Sequence, residues 1–116
     1  MNDDGAGEAP DALYHWAPSS RRAGIRRRGL VVNSRSRTPR LRFPFVALAE
    51  SAAFGLESVK ENRAVDEPMD LWELSTREGL DGALVEVLPW PDGVEWRLYT
   101  SVPARHLTLL GTRDLD

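Results

Sequence analysis

The segment PWPDG at residues 89–93 constrains the fold more than any other feature, because it places a tight turn between two strand-like runs. Two prolines followed by Asp-Gly favour a turn. The run before it, Ala83–Leu88, is largely apolar, and Val94–Tyr99 after it alternates apolar and polar residues with a period of two. Strands joined by so short a turn pair antiparallel. The second half of the chain is therefore predicted to form a mostly antiparallel sheet.

The rest of the chain is predicted to form further short strands and helices, and it has no internal repeat. Pro18 ends the first strand, Ser51 is placed to cap a helix, and Gly29 stands where a helix C-terminal glycine belongs. Together these patterns predict an α+β fold: a split, mostly antiparallel β-sheet with a few short helices. The predicted strands are Leu13–Ala17, Phe45–Ala49, Met69–Leu74, Ala83–Leu88, Val94–Tyr99 and Thr108–Leu110, and the predicted helices run from Ser19 or Ser20 through Arg28 and over Ala52–Glu57.

Length and composition narrow the class of protein. The 116 residues suit one domain, with residues 1–11 a flexible tail and residues 12–116 a single folded unit. The chain has no cysteine, which excludes disulfides, thiolate metal sites and cysteine catalysis, and two histidines argue against a histidine-rich metal site. No apolar run approaches the roughly 20 residues of a membrane span, and the acidic N-terminus differs from a secretory signal. A cytoplasmic protein with no metal and no membrane partner is expected.

Charge is distributed unevenly along the chain. The net charge is −3, yet residues 21–42 carry nine arginines and no acid. Such a segment can bind polyanions, as in an arginine-rich nucleic-acid-binding module. The whole chain, however, has 14 arginines and a single lysine, Lys60. Two interpretations of the Arg21–Arg42 segment therefore stay open: it is a phosphate-binding element, or it is one part of an arginine bias that extends over the whole chain.

Few residues remain as candidates for chemistry. The sequence has no glycine-rich phosphate loop, no G-x-S-x-G motif and no zinc-ligand spacing. Glu95 shares a strand face with Arg97, and it is either half of a solvated ion pair or a carboxylate that orients a hydroxyl and stabilises positive charge. His15 is either a half-buried strand histidine or a hydrogen-bonding partner for hydroxyl groups. Ser51 is a helix cap or a ligand contact, and His106 is expected to be structural.

The order of several short motifs resembles the ADP-ribosyltransferase superfamily, over about residues 13–110. The likeness is to its small histidine-type members, and above all to compact sequences of actinobacteria and their phages. The motifs are LYHWAPSS (13–20), RRRGL (26–30), FPFVALAES (43–51), DLWE (70–73) and VEWRLYTSVPARHL (94–107).

The resemblance implies a site for NAD in a cleft between the halves of a split sheet. Its catalytic residues would be His15, which contacts the ribose, and Glu95, which precedes Pro103 by eight residues. Strand alternation would then direct His15 into the cleft, with Leu13 and Ala17 beside it, while Tyr14 and Trp16 would pack as core. The tyrosine of the family's second motif is missing, and an aromatic ring of Phe45 or Phe54 would stack on nicotinamide instead. The residues expected to bind NAD are His15, Trp16, Arg35, Phe45 and Ser51.

The function implied is an NAD-dependent ADP-ribosyltransferase of phage or toxin type. NAD would be its substrate, and a macromolecule, either a host protein or a nucleic acid, would accept the ADP-ribosyl group. Two alternatives stay open at this point: a non-catalytic binding protein with the same fold, and the arginine-rich nucleic-acid-binding module.

Overall fold

A six-stranded antiparallel sheet forms the centre of the molecule, with strand order β4-β5-β2-β1-β3-β6. The computed structural model describes residues 10–32, 45–62 and 67–114. The predicted α+β class with a mostly antiparallel sheet and few short helices is confirmed. The strands are β1 (Ala12–Pro18), β2 (Val46–Ala49), β3 (Met69–Ser75), β4 (Val85–Trp90), β5 (Gly93–Leu98) and β6 (Leu107–Arg113), and the helices are α1 (Arg22–Arg28), α2 (Ala52–Asn62) and α3 (Thr76–Gly79).

The hairpin β4–β5 forms where the sequence predicts it, but with a tighter turn. Pro89 and Trp90 belong to β4, which leaves only Pro91 and Asp92 between the strands. The Tyr99 N–H donates to the Leu84 carbonyl at 2.8 Å. Because hydrogen-bonded pairs alternate along an antiparallel ladder, the nitrogen of Pro89 faces away from β5. β4 is an edge strand, so its proline costs no ladder hydrogen bond.

The main apolar core lies on one face of the sheet, where the alternating residues of β5 contribute as predicted. Trp96 is 4% exposed and Leu98 is fully buried. Ile25 of α1 packs into this core, and Leu30 closes it through a β-bridge to Val102. The faces of β1 were predicted the wrong way round: Leu13 and Ala17 lie in this core, whereas Tyr14 and Trp16 are half-buried on the opposite face. 

The two halves of the sheet meet at a single residue pair. Between β1 and β2 only Tyr14 and Ala49 are in register, whereas β1 and β3 are paired along their whole length. The Glu50 N–H donates to the Val94 carbonyl at 3.1 Å, which fixes the alternation of β2 so that the backbone polar groups of Ala47 and Ala49 face β1. The strands β4, β5 and β2 thus form one half and β1, β3 and β6 the other.

Helix α1 begins differently from the prediction and ends as predicted. Neither Ser19 nor Ser20 caps it, because both belong to a preceding 3₁₀ turn, Ser19–Arg21. The Ser19 hydroxyl donates to the Pro68 carbonyl and the Ser20 hydroxyl to the Glu67 carboxylate, so both serines fasten this turn to the chain before β3. The helix ends at Gly29 with a φ of 79°.

Gly29 is expected to be intolerant of substitution for two separable reasons. Its positive φ disfavours any side chain, and a Cβ would stand 1.9 Å from the Val102 carbonyl oxygen. Gly82 has a similar φ of 73° but nothing within 4 Å. Gly29→Ala should therefore lower the free energy of unfolding by about 2 kcal/mol and Gly82→Ala by about 1 kcal/mol, measured by urea denaturation. Equal losses would show that the approach to Val102 has no cost of its own.

Asp70, the first residue of the DLWE motif, is a buried anchor between three elements. Its side chain is fully buried and accepts two hydrogen bonds from Arg22, at 2.8 and 2.9 Å. The Thr112 hydroxyl donates to it at 2.6 Å. The hydrogen bond from Arg22 holds the pKa of Asp70 below its ordinary value, although burial opposes the shift. This carboxylate therefore fastens α1 and β6 to β3.

The remaining helices differ from the prediction in length. α2 extends to Asn62 rather than ending at Glu57, and the single turn of α3 was not predicted. None of the described helices is long and apolar enough to cross a membrane. Residues 1–9 of the predicted tail lie outside the described ranges, and the carbonyls of Pro10 and Asp11 accept hydrogen bonds from Thr76.

Candidate functional site

A cleft of about 690 Å³ opens between α2 and the β4–β5 hairpin, on the sheet face opposite the main core. Its size is within the range of small-molecule pockets, about 300–1,000 Å³. One wall is the first two turns of α2, and the other is the end of the hairpin. The lining residues are Ala53, Phe54, Glu57, Ser58, Trp90, Pro91, Asp92, Glu95 and Arg97.

Glu95 is held at the floor of the cleft by two donors. Its Oε1 accepts from the Trp90 indole N–H at 2.9 Å, and its Oε2 accepts from the Arg97 Nε–H at 3.0 Å. Its side chain is 19% exposed and that of Arg97 is 26% exposed. Each carboxylate oxygen can accept a second hydrogen bond. Glu95 is thus fixed in direction and still able to receive a hydroxyl donor from a ligand.

The aromatic ring of Phe45 packs against the guanidinium group of Arg97. The Arg97 guanidinium lies 4.5 Å from the centre of the Phe45 ring, a cation–π contact. Tyr99 packs edge-on against the same ring, with ring centres 5.9 Å apart. Its hydroxyl donates to the Glu86 carboxylate at 2.8 Å, and this hydrogen bond raises the pKa of Tyr99. Phe45 therefore positions the cation of the cleft and does not line the cleft itself.

The N-terminal end of α2 is fixed from two sides. The Ser51 hydroxyl accepts from the Phe54 N–H at 3.1 Å, which confirms the predicted helix cap. The Trp16 indole N–H donates to the Ala52 carbonyl at 2.9 Å. Gly55 lets the helix approach, since a Cβ there would lie 3.1 Å from the Trp16 ring. Trp16 and Ser51 thus set where the cleft wall stands, without lining the cleft.

His15 and Glu95 do not lie on the same face of the sheet. Tyr14, Ala49 and Glu95 are successive cross-strand neighbours, so they share the cleft face. His15 alternates with Tyr14 and pairs across strands with the core residue Trp72. The expectation that His15 faces the cleft is therefore wrong, and the two predicted catalytic residues are not brought together.

The imidazole of His15 instead joins the halves of the sheet. Its Nδ1 lies 2.8 Å from the carbonyl oxygen of Ala47, which faces β1 where the ladder ends. A carbonyl only accepts, so Nδ1 carries the proton and Nε2 is the acceptor of the neutral ring. The indole N–H of neighbouring Trp72 is buried without a partner among the described residues. The His15 imidazole thus donates a hydrogen bond to the Ala47 carbonyl, a backbone group that the short pairing of β1 with β2 would otherwise leave without a partner.

The stability of the protein should depend on pH through His15. Burial lowers the pKa of its imidazole below the ordinary 6.5; the hydrogen bond to Ala47 opposes this, and the charge of nearby Arg21 reinforces it. The unfolded chain therefore binds more protons than the folded one as the pH falls below 6.5, and the free energy of unfolding should decrease there.

The variant His15→Asn isolates this effect, because its amide keeps a donor close to the position of Nδ1 but does not titrate. In urea denaturation between pH 7 and 5, the wild-type protein should lose more stability than the variant. His106, the other histidine, is present in both proteins. Curves that run parallel across this range would contradict the assigned cause.

The other predicted residues, Arg35 and His106, are not among the described residues that line the cleft. Arg35 lies outside the described residues. His106 is 11% exposed, 3.8 Å from Glu78, and away from the cleft lining. The residue that the sequence analysis missed is Trp90 as a donor to Glu95, whereas the Glu95–Arg97 ion pair was one of its two alternatives and is half-buried rather than solvated. The shared face of Glu95 and Arg97 was readable from alternation, but the position of Trp90 depends on how tightly the hairpin turns.

Comparison with known proteins assigns no family. No protein-family model matches this chain, and no curated protein sequence matches it. The cleft lining offers three carboxylates, those of Glu57, Asp92 and Glu95, one cation, Arg97, and two aromatic rings, those of Phe54 and Trp90.

Proposed function

We propose that the protein is an NAD-dependent ADP-ribosyltransferase whose NAD site is the cleft between α2 and the β4–β5 hairpin. The observation that carries the proposal is the placement of Glu95. It is the residue that the family resemblance marks as catalytic, and it lies at the floor of this cleft between two donors. The macromolecule that accepts the ADP-ribosyl group is a protein or a nucleic acid.

The architecture of the sheet supports this proposal. The resemblance implies a split sheet with the NAD cleft between its halves, and the sheet here is joined by one residue pair between β1 and β2. Ala49 stands at that junction and is the cross-strand neighbour of Glu95. Glu95 thus lies one strand away from the junction of the halves, but the cleft is between α2 and the β4–β5 hairpin, over one half of the sheet, and not between the halves as the resemblance implies.

Glu95 has the chemistry that nicotinamide release requires. Cleavage of the C1′–N bond of NAD gives the electron pair to nicotinamide and leaves positive charge on the ribose C1′ and ring oxygen. A carboxylate that accepts a hydrogen bond from a ribose hydroxyl stabilises that positive charge, as carboxylates do in glycoside hydrolysis. The acceptor nucleophile then forms a bond to C1′ and releases its proton.

Three other cleft residues fit the remaining parts of NAD, whereas the carboxylates of Glu57 and Asp92 in the lining repel a pyrophosphate. Arg97 uses only its Nε in the ion pair with Glu95, so its terminal N–H groups can donate to a pyrophosphate. The rings of Phe54 and Trp90 offer apolar surface for a planar base. Because His15 lies on the other face, its place in the mechanism is indirect: it positions β1 against β2.

Incubation with labelled NAD tests this proposal. Candidate proteins, DNA and RNA are each incubated with the wild-type chain and with Glu95→Gln, and label on the acceptor is counted. Label that depends on Glu95 is the expected result. Equal label with both proteins would reject Glu95 as the catalytic carboxylate.

Binding of NAD without transfer of its ADP-ribosyl group is the second candidate function, and two observations favour it. Glu95 is already compensated by Arg97, and the predicted histidine partner is on the opposite face. Such a protein would bind NAD and leave it intact. NAD at millimolar concentration would raise the melting temperature, because a ligand of the native state stabilises it, yet no acceptor would become labelled.

A further inference from the structure

One end of α1 carries arginines that the proposed NAD site does not use. Arg26, Arg27 and Arg28 form its last turn and are all exposed. Arg105 is exposed on the 3₁₀ turn Ala104–His106, which packs against α1. We call these four residues the arginine face.

The close packing at Gly29 brings the two parts of the arginine face together. The position of a Cβ on Gly29 would be 2.8 Å from the Ala104 nitrogen, so the end of α1 and the 3₁₀ turn are in backbone contact. Arg105 is the next residue along that turn. Residues more than 70 positions apart in sequence thus contribute to one charged surface.

Among the described residues, Asp70 is close to part of this face, since the charge of Arg26 contributes to the lowered pKa of Asp70, whereas Arg27, Arg28 and Arg105 form no ion pair. The sequence has no acidic residue between Asp11 and Glu50, and within the described ranges Arg22 is the only arginine of α1 in an ion pair. The acids that contact this region, Glu67 and Asp70, bind Ser20 and Arg22 at the opposite end of the helix. The positive charge is therefore concentrated at the C-terminal end of α1.

Helix stability alone does not require this cluster. A cation in the last turn interacts favourably with the helix macrodipole, but each contributes only about 0.3–1 kcal/mol and the effect is confined to that turn. Arg105 is outside the helix. Three adjacent exposed arginines with a fourth from another element also repel one another, which a ligand of opposite charge relieves.

We propose that the arginine face binds the phosphate backbone of a nucleic acid. The guanidinium group pairs with phosphate through two parallel hydrogen bonds, which lysine cannot make. The net charge of −3 opposes general attraction to a polyanion, so binding depends on this local concentration of charge. The interaction does not rest on the proposed NAD site, which lies on the other face of the sheet.

Salt-dependent binding to a fluorescent 12-base-pair duplex tests the proposal, with a single-stranded RNA of equal length as a second arm. For about four phosphate contacts, affinity for the duplex should fall roughly a hundredfold between 50 and 200 mM salt. Replacing Arg27, Arg28 and Arg105 together with glutamine should weaken binding at least about tenfold at 50 mM salt. It should also make the log–log salt slope shallower by about 2 to 3.

A second triple variant controls for net charge. Lys60→Gln, Arg77→Gln and Arg113→Gln remove the same charge from α2, α3 and β6, and should keep most of the affinity. The single variant Glu95→Gln should bind nucleic acid as the wild type does. The proposal is overturned if both triple variants lose equal affinity, if neither nucleic acid binds at 50 mM salt, or if a polyglutamate peptide of equal charge binds as tightly.

Discussion

Replacing Arg22 with methionine is expected to lower the free energy of unfolding by about 3 kcal/mol. The change leaves the Asp70 carboxylate, which is fully buried, without its guanidinium partner. Removing one partner of a buried ion pair costs about 3–5 kcal/mol, because a charge stays buried and unpaired. The lower end applies here since the Arg22 side chain is 38% exposed and water can partly replace it. Urea denaturation at pH 7 measures the loss.

Two further variants separate charge from packing. Arg27→Met changes an exposed arginine of the same helix and should alter stability by no more than about 0.5 kcal/mol. The double variant Arg22→Met with Asp70→Asn removes the buried charge and should recover more than half of the loss. If the double variant is as unstable as Arg22→Met alone, the cost comes from lost packing of the arginine stem and not from the carboxylate.

Under the proposed function, replacing Glu95 with glutamine is expected to lower the rate of ADP-ribosyl transfer by about a hundredfold, equivalent to about 2.7 kcal/mol of transition-state stabilisation. The amide keeps a similar shape and can still accept from Trp90, but it carries no negative charge to stabilise the developing positive centre. NAD affinity should change by much less than the rate, because the charge appears only in the transition state. Single-turnover transfer and an independent NAD titration measure the two quantities.

Glu86→Gln is the matched control for this variant. Glu86 is on the neighbouring strand, pairs with Tyr99 and does not line the cleft. The Glu86→Gln variant should transfer the ADP-ribosyl group at nearly the wild-type rate. A large loss in Glu86→Gln, or a loss in Glu95→Gln that appears equally in NAD affinity, would remove the special role assigned to Glu95.

Local sequence patterns predicted the parts of the fold that depend on neighbouring residues. The alternation of β5 identified which of its side chains enter the core, because period-two patterns report the faces of a strand directly. The cap at Ser51 and the end of α1 at Gly29 were also readable, since each depends on one residue type at one position.

The faces of β1 could not be assigned from sequence in the same way. Both faces of this strand are covered, one by the main core and the other by α2, so both carry apolar or aromatic residues. Leu13 and Ala17 then look no different in pattern from Tyr14 and Trp16. The side of His15 was decided by the register with β3, which is a tertiary property.

Only part of the candidate site could be predicted from the sequence, because the rest depends on tertiary contacts. Glu95 and Arg97 share a strand face by alternation, but the cleft also needs α2 to stand over that face. The distance of α2 from the sheet is set by the contact of Trp16 with Ala52 and Gly55, far away in sequence. Phe54 is likewise placed by Gly93, where any Cβ would overlap its ring at 2.4 Å.

The indole N–H signals of the four tryptophans report directly whether NAD binds in the cleft beside Glu95. In a ¹⁵N-labelled sample titrated with NAD, the Trp90 signal should shift, because its N–H donates to Glu95 within the cleft. The signals of Trp72 and Trp96, which are buried on the other face, should stay in place. A shift of the Trp72 signal without a shift of Trp90 would place the NAD site on the His15 side of the sheet, and no shift at millimolar NAD would show that the cleft does not bind NAD.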